Sequence, residues 1–236
     1  MKLKNIIKKN KFAYSFLIKI RSNLRKVYNT RSRNMYFWNR VDGDNTLSLN
    51  YSLDSESLVF DIGAYEGNFT SKIYEKFNCN IFAFEPLEEY YSFLSKKFYN
   101  SKKIKLFNFG FLNHDKIVSL SKIGASSSIY NRPEGNPIGE TETKVEMKEF
   151  KKFIEYNKIQ KIDLIHMNIE GSEYPLLEHI IETNMIERVQ HIQIQFHTFV
   201  KNHYKLRNEL RKKLSRTHEC NFNYPYIWES WSKIDL

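Results

Sequence analysis

The sequence predicts an α/β domain with a mostly parallel central sheet. Short apolar segments alternate with amphipathic helical segments from residue 58 onward, and several of the apolar segments end in polar or glycine residues. The chain has 236 residues, of which 41% are hydrophobic, so it can bury the core of one such domain. Strands that alternate with helices form parallel sheets whose two faces are both covered.

A basic N-terminal helical extension, residues 1–40, precedes the domain that we assign to 41–236. Residues 1–41 hold 12 Lys or Arg and no acid, whereas the rest of the chain holds the other 25 basic residues and all 27 acidic ones. Apolar residues recur at helical spacing, but the longest apolar run is too short to span a bilayer. We expect this helix either to dock on an anionic membrane face or to pack on the domain or a second subunit.

Cysteine usage indicates the compartment. Cys79 and Cys220 are the only cysteines, and they form no C-x-x-C pair. This argues against a disulfide framework and fits a reducing environment. We therefore expect a cytoplasmic protein, peripheral at the inner membrane face if the basic helix docks on lipid.

The first part of the domain is predicted to contain two strand–helix units. A connector over 35–57 leads to an apolar run that ends at Asp61, and a helix over 68–77 follows, with Asn68 as a suitable cap. The second unit has a strand over 80–85 and a helix whose apolar residues recur at helical spacing, namely Leu87, Tyr90, Tyr91, Leu94 and Phe98.

The second part continues this alternation after an interruption. A strand over 104–109 and a short strand pair near 117–120 precede residues 121–140, whose glycines, prolines and serines predict a long irregular loop, either a lid or a surface insertion. The segments that follow predict a helix over 150–156, a strand over 162–169, a helix beginning at Ser172, a strand over 189–196 and a helix over 204–214. The aromatic residues after 221 predict one or two closing strands.

The segment Asp61-Ile-Gly-Ala-Tyr-Glu-Gly67 follows the first strand, and Glu85 ends the second. Glycines let the backbone approach a ligand closely, and a carboxylate at this place can accept hydrogen bonds from both ribose hydroxyls. The spacing D-x-G-x-x-x-G lacks the tight diphosphate turn of G-x-G-x-x-G. S-adenosylmethionine has no diphosphate, so the pattern indicates methyl transfer rather than hydride transfer by an NAD-dependent oxidoreductase.

The order of motifs over about residues 56–200 resembles the FkbM family of S-adenosylmethionine-dependent methyltransferases. The resemblance rests on Asp61–Gly67, Ala83-Phe-Glu-Pro86, Gly124-Ala-Ser-Ser-Ser128, Asn168-Ile-Glu-Gly-Ser-Glu173 and Ile194-Gln-Phe-His197. It implies a Rossmann-like class I methyltransferase fold and O-methylation of sugar or polyketide hydroxyls. It also implies a cofactor site in which Glu85 binds the ribose and the methionine end lies near Asp61, Gly63 and Gly67. To this site we add Ala64, Tyr65 and Asn168.

Catalytic candidates follow the later strands. His197 is our first choice for a general base, because an imidazole can titrate near neutrality, and Glu170, Glu173 and Asn168 are the other candidates. The family commonly has Asp where this chain has Asn168, and Asn keeps hydrogen-bonding capacity but loses the charge. Structural roles for His197 and Glu170 stay open, and His166 is assigned to the core. No metal is expected, since Glu170 and His197 are separated in sequence from other ligands such as Asp163.

The expected function is O-methylation of a sugar hydroxyl in a glycan, lipopolysaccharide or capsule precursor, with a glycan or glycolipid as acceptor. Asn168 keeps open an inactive nucleotide-binding or scaffold protein of the same fold. Basic residues in the N-terminal segment and in 201–216 allow an RNA methyltransferase, although no recognisable RNA module accompanies them, and nucleic acid is not the expected partner. A homo-oligomer stays open, and the sequence does not name the acceptor.

Overall fold

The computed structural model of the protein describes residues 30–123, 126–128 and 142–234. Most of the basic N-terminal segment and most of the loop predicted at 121–140 lie outside the described residues.

The described part of the chain contains eleven strands and six α-helices, numbered here in chain order. The strands are β1 (Leu58–Ile62), β2 (Asn80–Phe84), β3 (Ile104–Phe107), β4 (Gly110–Leu112), β5 (Lys116–Ile123), β6 (Ser126–Ser128), β7 (Glu142–Glu149), β8 (Ile162–Met167), β9 (Val189–Ile194), β10 (His218–Tyr224) and β11 (Trp228–Lys233). The α-helices are α1 (Thr30–Arg40), α2 (Asn68–Phe77), α3 (Glu88–Lys97), α4 (Phe150–Tyr156), α5 (Glu173–Glu182) and α6 (His203–Leu214), and 3-10 helices lie at Leu47–Leu49 and Met185–Arg188.

Seven strands form the main sheet in the order β10-β11-β9-β8-β1-β2-β3. β11 runs antiparallel to both of its neighbours, and the other neighbouring strands are parallel. The predicted mostly parallel α/β sheet is therefore confirmed. The chain leaves β1 toward β2 and leaves β8 toward β9, so the strand order reverses between β1 and β8, where open α/β sheets bind their ligands.

Two hydrophobic clusters cover the two faces of this sheet. Along β1 successive side chains point to opposite faces, so Phe60 and Ile62 join one cluster and Val59 joins the other. The Phe60 face packs on α4, α5 and α6, whereas the Val59 face packs on α2 and α3. Asp61 falls on the Val59 face, where it is 1% exposed. A carboxylate thus lies at the α2 side of the strand reversal.

A second sheet, with strand order β4-β7-β5-β6, lies where the irregular loop was predicted to begin. That prediction was wrong for 121–123 and 126–128, which extend β5 and form β6. Serine-rich sequence indicated a loop, but here its backbone pairs with a neighbouring strand. The second sheet buries its own apolar cluster, formed by Leu87, Leu112, Leu120, Val145 and Met147.

The described end of the N-terminal segment packs on the main sheet. Trp38 of α1 is 2% exposed, and its ring lies 5.6 Å from the ring of Phe222 and 5.3 Å from that of Tyr224. Its indole N–H donates to Asp44 Oδ1 at 2.9 Å. Helix α1 therefore contacts the domain predicted at 41–236. None of the helices in the described ranges is both long and apolar enough to cross a membrane.

Several predicted boundaries need small corrections. Helix α2 begins at Asn68 as predicted, but its N-cap is Gly67, with φ of 70° and no capping side chain. The strand predicted over 104–109 ends at Phe107, because the chain then leaves for the second sheet. Ser172 is the N-cap of α5, which confirms that helix start.

A buried ion cluster ties α6 to β10 and β11. Glu229 is 1% exposed and accepts hydrogen bonds from Arg207 Nε at 2.5 Å and from Arg211. Arg207 is 5% exposed and also donates to Asn223 Oδ1 at 2.7 Å. Because both charges are desolvated, each needs the other to remain buried.

We expect Glu229→Ala to lower the free energy of unfolding by about 3–5 kcal/mol, because it leaves Arg207 buried without its main partner. Urea unfolding of the two proteins measures this difference. The control is Glu209→Ala in the exposed Lys205–Glu209 pair of α6, which should change stability by at most about 1 kcal/mol. Equal effects of the two substitutions would contradict the assignment of the Glu229 cluster as a buried support of the sheet edge.

Candidate active site

Two adjoining clefts open at the carboxyl ends of β1, β2 and β8. The first cleft lies between these strand ends and the second sheet, and Glu85 and Phe111 are in its wall. The second cleft lies on the α2 side, and Asp61 and His166 are in its wall. Gly63, Tyr65 and Asn168 line both clefts, so we call this place the junction.

The loop after β1 comes close to the loop after β8. Gly63 has φ of +87°, and a Cβ on this residue would lie 2.3 Å from the backbone oxygen of Asn168. Only glycine fits there, because it lets the loop after β1 pack closely on the backbone of the loop after β8. Ala64 and Tyr65 also line the second cleft. Gly67 is not among the residues that line the two clefts, and a Cβ there would lie 2.7 Å from Leu94 Cδ2, so its lack of a side chain serves the packing of α2 on α3.

Glu85 lies in the first cleft at the end of β2 and is 5% exposed. Its Oε2 accepts a hydrogen bond from Tyr65 N at 2.9 Å, and its Oε1 accepts one from Leu87 N at 3.0 Å. Burial raises the pKa of Glu85 to about 7, and the two backbone hydrogen bonds oppose this shift. A carboxylate has about four acceptor positions. Glu85 therefore has capacity left for two ligand hydroxyls.

Asn168 lies at the junction and has a buried polar atom with unused capacity. Its backbone N–H donates to Ile62 O at 3.1 Å, but its Oδ1 has no hydrogen-bond partner among the described residues. Buried polar atoms are rarely left unpaired in folded proteins. A ligand with an N–H or O–H donor at the junction would satisfy this atom, so the residues present fit a nucleoside cofactor that carries an ammonium group.

Asp61 and His166 form a pair in the wall of the second cleft. They are register partners on β1 and β8, and His166 Nδ1 lies 2.9 Å from Asp61 Oδ1. Thr70 Oγ1 donates to Asp61 Oδ2 at 2.5 Å. The rings of Phe69 and Trp228 flank the imidazole. His166 was predicted to be a core residue; it is 6% exposed but borders the cleft, which strand periodicity alone did not reveal.

The edge formed by the carboxyl ends of the strands, with its two clefts, is called the rim below. His197 lies among carboxylates on the α5 side of this rim. Its Nδ1 is 3.1 Å from Glu173 Oε1, its Nε2 is 3.5 Å from Glu170 Oε1, and its backbone N–H donates to Glu173. Burial lowers the pKa of His197, but the hydrogen bonds and charges of Glu170 and Glu173 outweigh burial and raise it to about 9. Such an imidazole is protonated at neutral pH. This geometry contradicts the expectation of a neutral general base.

The structure thus divides the predicted site residues into three groups. The cofactor candidates Gly63, Tyr65, Glu85 and Asn168 line the first cleft, and Asp61 and Ala64 line the second. Glu170 borders the first cleft, whereas His197 borders neither. Sequence reasoning missed the residues that the second sheet and the last strand bring to the rim, namely Phe111, Leu120, Met147 and Trp228. An aromatic or apolar residue there carries no local signal, since pairing of distant segments places it.

Replacing His197 with Gln should remove a pH-dependent part of the stability. Its folded pKa of about 9 lies above the ordinary value of 6.5, so protonated His197 stabilises the fold fully below pH 6.5. This contribution, on the order of 3 kcal/mol, is lost as pH rises through about 9. Urea unfolding of both proteins near pH 6.5 and above pH 9 measures it.

The control for this measurement is His218→Gln. Burial lowers the pKa of His218, so its pH-dependent effect on stability appears as pH falls below the ordinary value. The stability difference for His218→Gln should therefore change little between neutral and alkaline pH. If the stability difference for His197→Gln were equally independent of pH, the stabilisation of protonated His197 by Glu170 and Glu173 would be disproved.

Comparison with solved structures places the fold among known methyltransferases. A presumed rRNA methylase from Clostridium thermocellum has a TM-score of 0.51 and 10% identity, over 83% of this chain and 96% of that one. A presumed methyltransferase from Streptococcus mutans, solved in complex with SAH, has a TM-score of 0.51 and 12% identity, over 82% of this chain and 97% of that one. At this identity the likeness concerns the fold alone. No curated protein matches the chain significantly.

A family model gives the closer assignment. The model of the methyltransferase FkbM domain matches residues 61–224, from Asp61 at the junction side of β1 to the end of β10. The match covers more than half of the 236 residues and includes the loop after β1 and the strands β2 and β8. The resemblance seen in the sequence motifs is therefore confirmed, and the chain belongs to the FkbM methyltransferase family.

Proposed function

We propose that this protein transfers a methyl group from S-adenosylmethionine to a sugar hydroxyl of a glycan, lipopolysaccharide or capsule precursor. Two free acceptors together carry the proposal. Glu85 has acceptor positions left for ribose hydroxyls, and Asn168 Oδ1 at the junction has no hydrogen-bond partner among the described residues. The fold and family are those of methyltransferases. The acceptor class rests on the character of the rim and on the family resemblance.

The first cleft suits the nucleoside part of the cofactor. Glu85 would hold the ribose, and the apolar side chains of Leu87 and Phe111 would contact the adenine. The methionine part would then pass Gly63, and its ammonium group would donate to Asn168 Oδ1. S-adenosylmethionine supplies an electrophilic methyl group on a sulfonium. The protein contributes alignment of the acceptor with that methyl group, which can supply much of the rate.

The charges of the rim favour an uncharged acceptor over RNA. The second cleft is lined by four carboxylates but only two lysines, namely Asp44, Asp61, Glu66, Glu75, Lys72 and Lys97. RNA-binding surfaces need an excess of cations to neutralise phosphates. Both lysines also donate to protein oxygens, Lys72 to Asn45 Oδ1 and Lys97 to the backbone oxygen of Glu66. A neutral sugar meets no such repulsion.

An inactive scaffold is the second candidate, and Asn168 is the observation that favours it. Replacement of a carboxylate by an amide removes a charge and a basic group from the junction. The acceptor capacity left at Glu85 and the unpaired Oδ1 of Asn168 favour a protein that still binds its cofactor. The two functions differ in turnover rather than in cofactor binding, so a binding measurement tests what they share.

The basic N-terminal segment is proposed to hold the protein at the cytoplasmic face of an anionic membrane. Tyr36, Phe37 and Val41 are exposed at 61%, 44% and 44%, beside Trp38, which is buried. Exposed aromatic residues next to a run of basic residues suit the lipid–water interface. This position would bring the enzyme to lipid-linked glycan precursors.

Glu85→Ala should weaken binding of S-adenosylmethionine and of S-adenosylhomocysteine at least about tenfold, because hydrogen bonds to a charged group contribute about 1.5–3 kcal/mol each. Calorimetric titration measures both affinities. Because the pKa of Glu85 is about 7, affinity of the unmodified protein should also rise from acid to neutral pH as the carboxylate ionises. Glu85→Gln should abolish this rise.

The matched control is Glu155→Gln on α4, whose carboxylate is exposed and lines neither cleft. It should leave both affinities unchanged. Absence of binding to either ligand by the folded, unmodified protein would overturn the methyltransferase proposal. Binding without any methylated product from a broad set of glycan acceptors would move the scaffold to first place.

Removal of residues 1–29 should release the protein from vesicles that contain phosphatidylglycerol, because it removes nine of the 12 basic residues of the N-terminal segment. Co-sedimentation measures vesicle binding, and neutral phosphatidylcholine vesicles serve as the control. Unimpaired S-adenosylhomocysteine binding by the shortened protein verifies that the domain is folded. Equal vesicle binding by the full and shortened proteins would refute membrane docking through this segment.

A further inference from the structure

We infer that the second cleft is the acceptor site and that His166, oriented by Asp61, is the base that takes the proton of the acceptor hydroxyl. The inference rests on the proposed function and adds a catalytic residue and an acceptor position to it. It assigns the proton transfer to Asp61 and His166, which lie on the neighbouring strands β1 and β8. His197, by contrast, borders neither cleft.

The hydrogen bonds of Asp61 fix the orientation of His166. Asp61 Oδ2 accepts from Thr70 Oγ1, and Oδ1 lies 2.9 Å from His166 Nδ1. A carboxylate only accepts, so Nδ1 of His166 carries a proton and Nε2 of the neutral ring is an acceptor. Nε2 has no hydrogen-bond partner among the described residues, and His166 borders the second cleft. A ring held at one nitrogen by a buried carboxylate is the arrangement of an oriented general base.

Aromatic rings hold the imidazole plane. The Phe69 ring stacks on His166 at 3.7 Å with an interplanar angle of 7°, and the Trp228 ring lies at 4.7 Å with an angle of 34°. Aromatic faces and the Asp61 charge both stabilise the imidazolium that forms when His166 accepts a proton. Trp228 also lines the second cleft, where it offers an aromatic surface to the less polar face of a sugar ring.

The position of the pair agrees with the direction of transfer. The first cleft takes the nucleoside, and the second cleft adjoins it at the junction, because Gly63, Tyr65 and Asn168 line both clefts. An acceptor in the second cleft therefore faces the methyl group across the junction. The hydroxyl oxygen forms a bond to the methyl carbon, and the carbon–sulfur bond breaks with its electron pair moving to sulfur. The hydroxyl proton moves to His166 Nε2 and is later released to water.

Glu170 is the other base candidate that borders a cleft, and its surroundings disfavour this role. Its Oε1 lies 3.5 Å from Nε2 of His197, so this carboxylate is already paired with a side chain outside both clefts. Glu170 also lines the first cleft, beside the nucleoside rather than beside the acceptor. It is better suited to shape the turn after β8, where it has φ of 50°.

Nitrogen-15 NMR of histidine-labelled full-length protein tests the inference without relying on turnover. In the S-adenosylhomocysteine complex at neutral pH, His166 should carry its proton on Nδ1. Asp61→Asn should invert this tautomer, because the amide can donate to Nδ1. Addition of simple methyl glycosides of common hexoses to the complex should shift the His166 Nε2 and Trp228 indole signals. The signal of His191, a strand histidine bonded to Ser232 and outside both clefts, should stay unchanged.

The second measurement is methyl transfer from S-adenosylmethionine to the same glycosides. His166→Gln should slow it at least about 100-fold, the usual contribution of a general base, while S-adenosylhomocysteine affinity changes less than about threefold. His191→Gln is the matched control and should leave the rate unchanged. The tautomer and chemical-shift measurements are made on the unmodified protein, so they remain valid even if a variant fails to fold.

The outcomes separate this inference from the function on which it rests. If S-adenosylhomocysteine fails to bind the unmodified protein, the proposed function itself falls. If it binds but His166 carries its proton on Nε2, or no glycoside shifts His166 and Trp228, the acceptor assignment is overturned while the methyltransferase proposal stands. Undiminished transfer by a folded His166→Gln variant likewise overturns it.

Discussion

The burial of one carboxylate, that of Asp61, determines the arrangement of the whole rim. A carboxylate that is 1% exposed is costly unless its oxygens are paired. Thr70 satisfies one oxygen and so fixes the first turn of α2, and His166 satisfies the other and so links β1 to β8 across the strand reversal. The loop after β1, which contains Gly63, runs between these two hydrogen bonds. Its position over the end of β8, with Gly63 against Asn168, follows from them.

The same constraint extends across the sheet. The residues aligned with Asp61 on successive strands are His166, Gln193 and Ser230, so four neighbouring strands place a polar row on one face. Tyr51 completes this row, since its hydroxyl donates to Gln193 Oε1 at 2.8 Å and lies 3.1 Å from Ser230 Oγ. Burial raises the pKa of Tyr51 and keeps the phenol neutral. The segment predicted to be a mere connector therefore covers a buried polar network and borders the second cleft.

Local sequence signals predicted most of the fold and about half of the site. Strand–helix alternation, helix starts such as Ser172 and the acid that ends β2 are properties of short segments, so they could be read directly. The second sheet could be predicted only in part: the strand pair expected near 117–120 lies in β5, but β6 is a serine-rich segment and β7 is paired with β5 from across the irregular segment. The role of His166 could not be read, since an apolar strand with one histidine looks like core until its register with Asp61 is known.

The contrast between two histidines shows why strand-end position alone misassigns a base. His197 lies three residues after the end of β9, but Glu170 and Glu173 surround it and keep it charged, so it stabilises the turn after β8. His166 lies inside β8, yet one carboxylate fixes a single nitrogen and leaves the other at a cleft. A base needs one acceptor nitrogen in reach of substrate and one fixed partner. The number of carboxylates around each ring, rather than its place on the strand, therefore separates the histidine that stabilises a turn from the one that we propose as the base.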